Sequence, residues 1–419
     1  MKLLLPVISL FLPKLKTRQK EWKQIFFRAN IEKDVATKLI WFHAASMGEF
    51  EQAKYIIEQL KSNYQNIKIL VTFYSPSGYN NQKNYSFADA VIYLPDDTPG
   101  NVKKFLNKFQ PDLSVFIRYE IWHNYLHICT KWGIPAILIA ATKPAKSKLA
   151  SLELVNQFYA MNYSYFKKIY TVGEEHSRFF ESLYTNAEII TATDPRFDRI
   201  YAVVSENQTK SILPSELFNS ELILIAGSSW PPDENIIIDA LSQVNGDKFQ
   251  YRCIFVPHEP SEEHINGLQN KVEAVLLSGI MGVLENEGLD KARLLSSGKH
   301  IITDSIGKLL SLYSIADIAY IGGAFGAGVH SVTEPAGYGL PLATGRKINN
   351  SPDAVKLNKA GALEIIKKPA DMHHWLQKMI DENARKESGN IARDYVTMNL
   401  GTSDMIIKDI ITFLYSRQS

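Results

Sequence analysis

The sequence predicts an α/β protein built from two doubly wound domains, each with a parallel β-sheet covered by helices. Three observations lead to this prediction. The chain has 419 residues, which is more than one hydrophobic core usually supports. Short apolar runs alternate with stretches of helical periodicity, the pattern of parallel βαβ units. This alternation stops at a polar segment near residues 206–220 and then starts again.

The predicted strands are short runs rich in branched and aromatic residues. In the first half of the chain they are Leu39–His43, Ile67–Phe73, Ala90–Leu94, Leu113–Ile117, Ala136–Ala140, Lys168–Val172 and Glu188–Thr191. In the second half they are Leu222–Ala226, Arg252–Val256, Ile301–Thr303, Ile318–Ile321 and Leu340–Ala343. Helices are predicted between them, including Phe50–Lys61, Pro99–Phe109, Glu174–Leu183, Glu262–Leu276, Lys308–Tyr313, Pro352–Lys359, Asp371–Ile380 and Asp404–Tyr415. Ligands of such sheets bind at the carboxyl ends of the strands, so functional residues are expected directly after them.

These patterns predict five segments. They are a membrane-interface segment at residues 1–30, a first Rossmann-like domain at 31–205, a linker at 206–220, a second Rossmann-like domain at 221–400 and a C-terminal helix at 401–419.

Composition narrows the class of protein. The hydrophobic share of 45% and the charged share of 21% are ordinary for a globular protein. The net charge is 46 − 44 = +2, which argues against nucleic acid as a partner. Cys129 and Cys253 lie far apart in the chain and have no metal-like neighbours. Buried thiols in a reducing compartment are therefore expected, which favours the cytoplasm.

The N-terminus combines an apolar run with a basic stretch. Leu3–Leu12 spans ten residues and contains Pro6, so it is too short for a transmembrane helix, which needs roughly 20. No cleavage site of a signal peptide follows it. The basic residues that follow are Lys14, Lys16, Arg18, Lys20 and Lys23. An interfacial anchor facing anionic lipid is favoured, and the alternative is a helix packed on the domain edge with solvated lysines.

The most informative segment begins at the end of the first predicted strand. His43 is followed by Ser46, Gly48 and Glu49, and a helix is predicted to open at Glu49. By position alone, a glutamate here complements the helix dipole. The spacing also resembles the opening motif of the Kdo transferases, glycosyltransferases that handle the acidic eight-carbon sugar 3-deoxy-D-manno-octulosonic acid. The resemblance implies that Glu49 is the catalytic base and that Ser46 and Gly48 contact substrate.

Further segments of the first half are similar to this family in the same order. Residues 94–97 match a Leu-Pro-x-Asp element. Residues 118–124 match a segment with two acids, of which the second is kept as Glu120 and the first is replaced by Arg118. The resemblance gives Glu120 the role of steadying a charged transition state, and the alternative is a glutamate paired with Arg118 or another base. Arg196 falls where the family has a lysine credited with transition-state stabilisation.

The second half carries the segments that resemble the nucleotide site. Small hydroxyl residues after a strand and a Gly-rich turn leave backbone N–H groups free for an anion. The resemblance implies that the donor is bound by Ser228, Pro257, His258, Ile306, Gly307, Lys308, Gly328, His330, Ser331 and Glu334. Glu334 is expected to accept from the ribose hydroxyls. His258, Lys308 and Ser331 depart from the family pattern, which has an arginine, an acid and an asparagine there.

The resemblance extends from Trp41 to Gly345 and implies a GT-B fold, in which two Rossmann-like domains face each other across a cleft. It also implies an inverting transfer of Kdo from CMP-Kdo to a lipid A precursor, lipid IVA. This would take place at the cytoplasmic face of the inner membrane of a Gram-negative-type bacterium. CMP leaves as a monophosphate, so neither a metal ion nor a cofactor is expected, and the run from His258 to His264 does not match a zinc motif.

Two alternatives stay open at this point. One is a sugar-nucleotide epimerase of similar fold, and the other is a non-enzymatic, membrane-associated protein that binds a sugar nucleotide.

Overall fold

The structure, a computed structural model, divides the chain into two compact units. It describes residues 13–144, 153–207, 211–218, 221–245 and 250–416. Residues up to Arg199, together with those from Asn399 onward, form the first unit, and Ile200–Met398 form the second. This division differs from the predicted boundaries, because the chain enters the second unit before residue 206 and the C-terminal helix belongs to the first unit.

The first unit is built on a parallel sheet. Its strands in the described residues are β1 (Lys38–Ala44), β2 (Ile67–Phe73), β3 (Ala90–Tyr93), β4 (Leu113–Ile117), β5 (Ala136–Ala141), β6 (Lys168–Val172) and β7 (Glu188–Ala192). Their order is β3-β2-β1-β4-β5-β6-β7. Leu39 and Trp41 join the core on one face of the sheet, whereas Ile40 and Phe42 join the core on the other. Helices cover both faces, which is why these strands are continuously apolar in sequence.

One helix precedes the sheet and the others follow its strands. They are α1 (Pro13–Arg28), α2 (Met47–Asn63), α3 (Pro76–Gln82), α4 (Pro99–Phe109), α5 (His123–Lys131), α6 (Glu153–Tyr163), α7 (Glu174–Glu181) and α8 (Arg196–Asn207), which continues into the second unit. Both cysteines are buried free thiols, as the sequence predicts.

The second unit repeats this layout. Its described strands are β8 (Leu222–Ser229), β9 (Tyr251–Pro257), β10 (Ala274–Leu276), β11 (His300–Ile302), β12 (Ile318–Ile321), β13 (Leu342–Thr344) and β14 (Leu363–Ile365), in the order β10-β11-β9-β8-β12-β13-β14. A 3-10 turn at Ser215–Leu217 is followed by α9 (Pro231–Asn245), α10 (Glu262–Gln269), α11 (Leu277–Asn286), α12 (Leu289–Ser296), α13 (Leu309–Tyr313), α14 (Thr333–Gly337), α15 (Pro352–Ala360), α16 (Pro369–Lys378) and α17 (Glu382–Thr397).

Two edge strands were not predicted. The predicted helix Glu262–Leu276 is wrong at its end, because α10 stops at Gln269 and residues 274–276 form β10. β14 was missed as well. Each of these strands has three residues and an incompletely buried pattern, so neither produces the apolar run that marks an interior strand.

The last helix, α18 (Thr402–Tyr415), completes the core of the first unit. Ile406, Ile410 and Leu414 are buried in the same cluster as Ile40 and Phe42. Its start is held by the Asp198 carboxylate, which accepts hydrogen bonds from the backbone N–H groups of Gly401 (2.6 Å) and Ser403 (2.8 Å).

Helix α1 packs on the edge of the first unit. Phe26 is buried in the core, and Arg18 is only 2% exposed. The Arg18 guanidinium donates to Asp96 Oδ1 (2.8 Å) and to the Leu94 carbonyl (2.6 Å), and it lies 4.2 Å from the centre of the Tyr74 ring. Arg18 therefore does not face lipid, which corrects that part of the prediction.

The rest of the membrane prediction falls largely outside the structure. The apolar run Leu3–Leu12 lies outside the described residues, as do the side chains of Lys14, Lys16 and Lys20. No helix that the structure describes combines the length and the apolar character needed to span a bilayer.

Candidate active site

The first unit presents two glutamates after neighbouring strands. β1 and β4 are adjacent in the sheet, and their carboxyl ends lie at the same edge. Glu49 follows β1 at the start of α2, and Glu120 follows β4. The charges of the two side chains interact, so the fold brings these two predicted catalytic residues together.

Glu49 is a buried residue in the first turn of its helix. Its Oε2 accepts hydrogen bonds from the backbone N–H groups of Ala45 (2.6 Å) and Ser46 (3.3 Å), and Ser46 is the N-cap of α2. The side chain is thus half of a capping box. Burial raises the pKa of Glu49 above its usual range, although these two N–H groups and the charge of Arg118 oppose the rise. Oε1 makes no hydrogen bond to the described residues.

Glu120 lies in a partly buried position beside it. Its Oε2 accepts from the Trp122 indole N–H (2.9 Å) and lies 4.0 Å from His43 Nε2. Burial and then the charge of Glu49 raise the pKa of Glu120 to about 7, and the Trp122 hydrogen bond lowers it. In the described part of the chain Glu120 forms no ion pair with Arg118, so that alternative is not what the structure shows.

Arg118, two residues before Glu120, has an unusual backbone conformation. Its φ is +67°, a left-handed value that side chains rarely adopt, directly after β4. Such strain costs roughly 1–3 kcal/mol and concentrates at functional sites. The positive charge of Arg118 lowers the pKa of Glu49. The sequence resemblance does not predict this effect, because the family has an acid at position 118.

Arg196 starts helix α8 and is bound to a neighbouring acid. Its Nε and Nη2 lie 3.0 and 2.8 Å from Asp194 Oδ2, which also accepts from Gln52 Nε2 (2.9 Å) in α2. Burial would raise the pKa of Asp194, but the charge and hydrogen bonds of Arg196 outweigh it and lower that pKa. Gln52 lies one turn after Glu49, so Arg196 is connected to the helix of Glu49 through Asp194.

Ser46 and Gly48, the two predicted substrate-contacting residues before Glu49, have different surroundings. Ser46 is half-buried at the start of α2, and Gly48 is exposed in its first turn. A Cβ at Gly48 would meet no atom within 4 Å, so packing in the described residues does not require glycine there.

In the second unit three strand ends converge. The N–H of His258, after β9, donates to Ser229 O (3.0 Å), and the N–H of Gly322, after β12, donates to Gly227 O (2.9 Å). Ser228 between them has φ +51°. A Cβ at Gly322 would lie 2.3 Å from Ser228 O, so the backbone segments approach too closely for any other residue. Ser228, Pro257 and His258 are therefore brought to one edge together with the Gly-rich turn.

Asp233 holds these loops in place. It is 1% exposed, and its Oδ2 accepts from the N–H groups of Trp230 and Gly323, both at 3.0 Å. Oδ1 accepts from the Tyr320 hydroxyl (2.9 Å). Burial raises the pKa of Asp233, and these three hydrogen bonds oppose the rise. Asp233 was not among the predicted site residues, because its partners Gly323 and Tyr320 lie far from it in sequence.

Three aromatic rings form a cluster at this edge. The rings of His258 and His330 stack with centroids 4.3 Å apart, and the Trp230 ring lies 5.1 Å from that of His258. Trp230 Nε1 donates to His330 Nε2 (3.2 Å). Burial and then the charge of His258 lower the pKa of His330. The exposed His258 and half-buried His330 offer a flat aromatic surface next to the Gly-rich turn.

The remaining predicted donor residues lie in two turns of the same unit. Ile306 is 81% exposed and Gly307 has φ +80°, just before Lys308 and α13. Gly328, in the Gly-rich turn, has φ +139°. Ser331 Oγ lies 3.3 Å from Thr333 Oγ1.

Glu334 lies in the short helix α14. Burial raises the pKa of the Tyr313 hydroxyl strongly, and the charge of Glu334 adds to that rise, so the two side chains are near one another. A Cβ at Gly227 would lie 2.3 Å from the Tyr313 hydroxyl oxygen, which places Tyr313 beside the end of β8.

Within the described residues, no group of three or more His, Cys, Asp or Glu side chains could hold a metal ion. The stacked pair His123 and His127 is bound to Asn162 (2.9 Å) and Tyr165 (3.2 Å).

Comparison with known proteins identifies relatives of this chain. Residues 20–199 match the family model described as 3-deoxy-D-manno-octulosonic-acid transferase (Kdotransferase). A 3-deoxy-D-manno-octulosonic acid transferase of Haemophilus influenzae is 24% identical over 88% of this chain and 85% of the relative. The enzyme of that name from Rickettsia prowazekii is 25% identical over 86% of this chain and 76% of the relative.

The chain is similar to Kdo transferases over most of its length. This similarity supports a glycosyltransferase, as the sequence predicts, and favours it over the epimerase and the non-enzymatic alternatives.

Solved structures confirm the predicted fold class. A UDP-GlcNAc 2-epimerase from Neisseria meningitidis has a TM-score of 0.59 at 14% identity and covers 90% of this chain and 100% of its own. MurG from Acinetobacter baumannii has a TM-score of 0.53 at 12% identity and covers 90% of this chain and 99% of its own. At such identities the likeness shows the fold alone, which is the α/β GT-B fold.

Proposed function

We propose that this protein transfers Kdo from CMP-Kdo to the lipid A precursor lipid IVA with inversion at the anomeric carbon. The main support for this proposal is the position of the Glu49 carboxylate. It is buried at the end of β1, with Oε2 held by two backbone N–H groups. A carboxylate fixed in this way presents its second oxygen in a defined direction, as a general base requires.

In the proposed reaction Glu49 takes the proton from a hydroxyl group of the acceptor. The acceptor oxygen forms the new bond to the anomeric carbon of Kdo, and the bond from that carbon to the phosphate oxygen of CMP breaks. The raised pKa of Glu49 suits this step, because a stronger base accepts the proton more readily.

Glu120 and Arg196 stabilise charge in the same step. Glu120 in its ionised form steadies the positive charge that develops on the sugar ring as the bond to CMP breaks. Arg196 supplies positive charge for the carboxylate or phosphate of the donor, and Asp194 holds its guanidinium.

The second unit binds the donor. The strained turn at Ser228, the Gly-rich turn and the imidazoles of His258 and His330 provide N–H groups and protonatable rings for the phosphate. Glu334 accepts from the ribose hydroxyls. CMP leaves as a monophosphate, so this chemistry needs no divalent ion.

The acceptor is a lipid, and α1 provides a surface for an anionic membrane. Phe27 is 70% exposed. It lines a surface groove together with Trp22 and Pro95, and the exposed Lys23 and Lys104 line the same groove. An exposed aromatic residue beside lysines suits attachment to the anionic cytoplasmic face of the inner membrane.

Turnover of CMP-Kdo with lipid IVA by Glu49→Gln tests the proposal. Glutamine keeps the shape of the side chain but cannot accept the proton, so turnover is expected to fall about 10²–10⁴-fold with CMP affinity unchanged. Glu51→Gln, in the same helix, is the matched control and should retain turnover, because Glu51 pairs with Lys54 and Arg199 instead. Wild-type turnover by Glu49→Gln would falsify the assignment of the base.

A further inference from the structure

His43 is a buried titratable residue at the end of β1 that the proposed mechanism does not use. Its side chain is 0% exposed. Burial lowers the pKa of His43 to about 3, so the ring is neutral at physiological pH. A neutral imidazole has one N–H and one nitrogen that can only accept.

The neighbours of His43 decide which nitrogen carries the proton. Trp41 Nε1 donates to Thr72 Oγ1 (2.8 Å), so Thr72 already accepts one hydrogen bond. Its own hydroxyl proton can go to His43 Nδ1 at 2.9 Å or to the Phe42 carbonyl at 3.4 Å. The contact with His43 Nδ1 is the shorter of the two, so it makes the stronger hydrogen bond. With Nδ1 as the acceptor, the proton of His43 lies on Nε2; in the other tautomer Nδ1–H donates to Thr72 instead.

His43 Nε2 points towards Glu120. This nitrogen is buried and has no hydrogen-bond partner in the described residues, and Glu120 Oε2 is 4.0 Å away. The same oxygen accepts from Trp122 Nε1 (2.9 Å), and the Trp122 ring stands edge-on to the His43 ring with centroids 5.1 Å apart. Two N–H groups on packed rings thus converge on one carboxylate oxygen.

We propose that His43 is a positioning residue for Glu120, whose carboxylate it orients and stabilises in the charged form through its Nε2–H. The separation of 4.0 Å shortens to a hydrogen bond after a shift of roughly 1 Å, as catalytic contacts do when a site is occupied. Even before that shift, the N–H dipole acts on the carboxylate through a poorly solvated space. The proposal rests on the proposed function in one respect, namely that Glu120 acts as a carboxylate.

The test compares two substitutions at one position. His43→Gln places an amide N–H near the position of Nε2, whereas His43→Asn reaches only as far as Nδ1. Infrared spectroscopy follows the protonated carboxyl band of Glu120 against pH, and Glu120→Gln identifies that band. We expect His43→Asn to raise the titration midpoint by about one to two pH units, the size of a lost hydrogen bond to a charged group, and His43→Gln to restore it.

Turnover against pH is measured in the same proteins. Because ionised Glu120 is the active form, the rise of kcat with pH should move to higher pH in His43→Asn and return in His43→Gln. Equal infrared midpoints in all three proteins would overturn the positioning role. If the midpoints shift as expected but none of the proteins transfers Kdo, the proposed function fails and the role of His43 stands.

If the His43 variants do not fold, two variants of Thr72 provide a second test. Thr72→Val removes the hydroxyl that fixes the ring, and Thr72→Ser keeps it. A midpoint that rises in Thr72→Val but not in Thr72→Ser supports the proposal, and an unchanged midpoint in both contradicts it.

Discussion

The Glu49 side chain combines a structural and a chemical task. A glutamate in a capping box normally stabilises its helix and is otherwise inert, and its position in sequence is that of a dipole complement. Here the two hydrogen bonds from the backbone N–H groups of Ala45 and Ser46 complete the helix cap and also fix the Glu49 carboxylate next to Glu120. The two readings that sequence leaves open for Glu49 are therefore compatible.

The pair of glutamates costs stability at high pH. The pKa of Glu120 is about 7 in the folded protein against an ordinary value of 4.5, so the folded state binds this proton more tightly than the unfolded state. The free energy of unfolding must then decrease as pH rises from about 4.5 to 7. A shift of this size corresponds to about 3 kcal/mol above pH 7.

Glu120→Gln should therefore stabilise the protein at pH 8 by about 2–3 kcal/mol and have little effect at pH 5, while it lowers turnover. Urea unfolding at the two pH values measures this difference. Glu285→Gln, an exposed substitution in α11, is the control and should change neither value by more than about 0.5 kcal/mol. An equal effect of Glu120→Gln at pH 5 and pH 8 would refute the raised pKa.

Sequence identifies the acids of the site but not the groups that tune them. Glu49 and Glu120 follow apolar runs, so their place at the sheet edge follows from strand prediction. Their mutual charge, the left-handed conformation of Arg118 and the unpartnered nitrogen of His43 depend on contacts between segments distant in the chain. Asp233 belongs to the same class, because its partners are backbone N–H groups.

Among the elements, α1 shows how a basic residue can be misjudged. Alternation of charge and apolar side chains predicts a helix, but it does not reveal which cation turns inward. Arg18 does so because Asp96, the Leu94 carbonyl and the Tyr74 ring surround its guanidinium.

We expect Arg18→Ala to destabilise the first unit by about 2–3 kcal/mol, because it leaves Asp96 and a buried carbonyl without their donor. Lys23→Ala in the same helix removes an exposed cation and should change stability by less than about 0.5 kcal/mol. The free energy of unfolding in urea gives both values. Similar small losses would show that the Arg18 contacts do not anchor α1.

The outer face of α1 carries a different prediction. Phe27→Ser should weaken binding to anionic vesicles roughly tenfold, because one phenyl group leaves the bilayer interface. Leu294→Ser is matched in exposure, with 74% exposed against 70% for Phe27, and should not change binding. Vesicle sedimentation measures both, and equal affinities of the two variants would place the membrane contact elsewhere.

Strand prediction succeeded where burial is complete and failed at one sheet's edges. The interior strands of the first sheet were found because they are rich in apolar residues. Its edge strands β3 and β7 were found as well, although they are only partly buried, because they are longer, with four and five residues. β10 and β14 lie at the two ends of the second sheet with three residues each, and their partial burial gives no distinct pattern.

At the scale of the whole molecule, we propose that the second unit binds the donor and that the first unit carries the catalytic base. This proposal predicts which segments CMP protects. CMP at about 100 times its dissociation constant should stabilise the protein by about 2.7 kcal/mol. Hydrogen exchange should slow after β8 and β9 and in the turn at 322–330, and much less in α2. Glu334→Ala should remove most of the gain. Stronger protection of α2 than of these turns would contradict donor binding by the second unit.

The return of α18 to the first unit has a consequence for synthesis on the ribosome. The first unit lacks the apolar stripe of Ile406, Ile410 and Leu414 until α18 has been made. Residues 200–398 emerge in between, which takes roughly 10–40 s at typical translation rates. During that interval the face formed by Ile40 and Phe42 stays incompletely covered. The nascent first unit thus exposes apolar surface during this time, and the second unit is the first part of this enzyme that can finish folding.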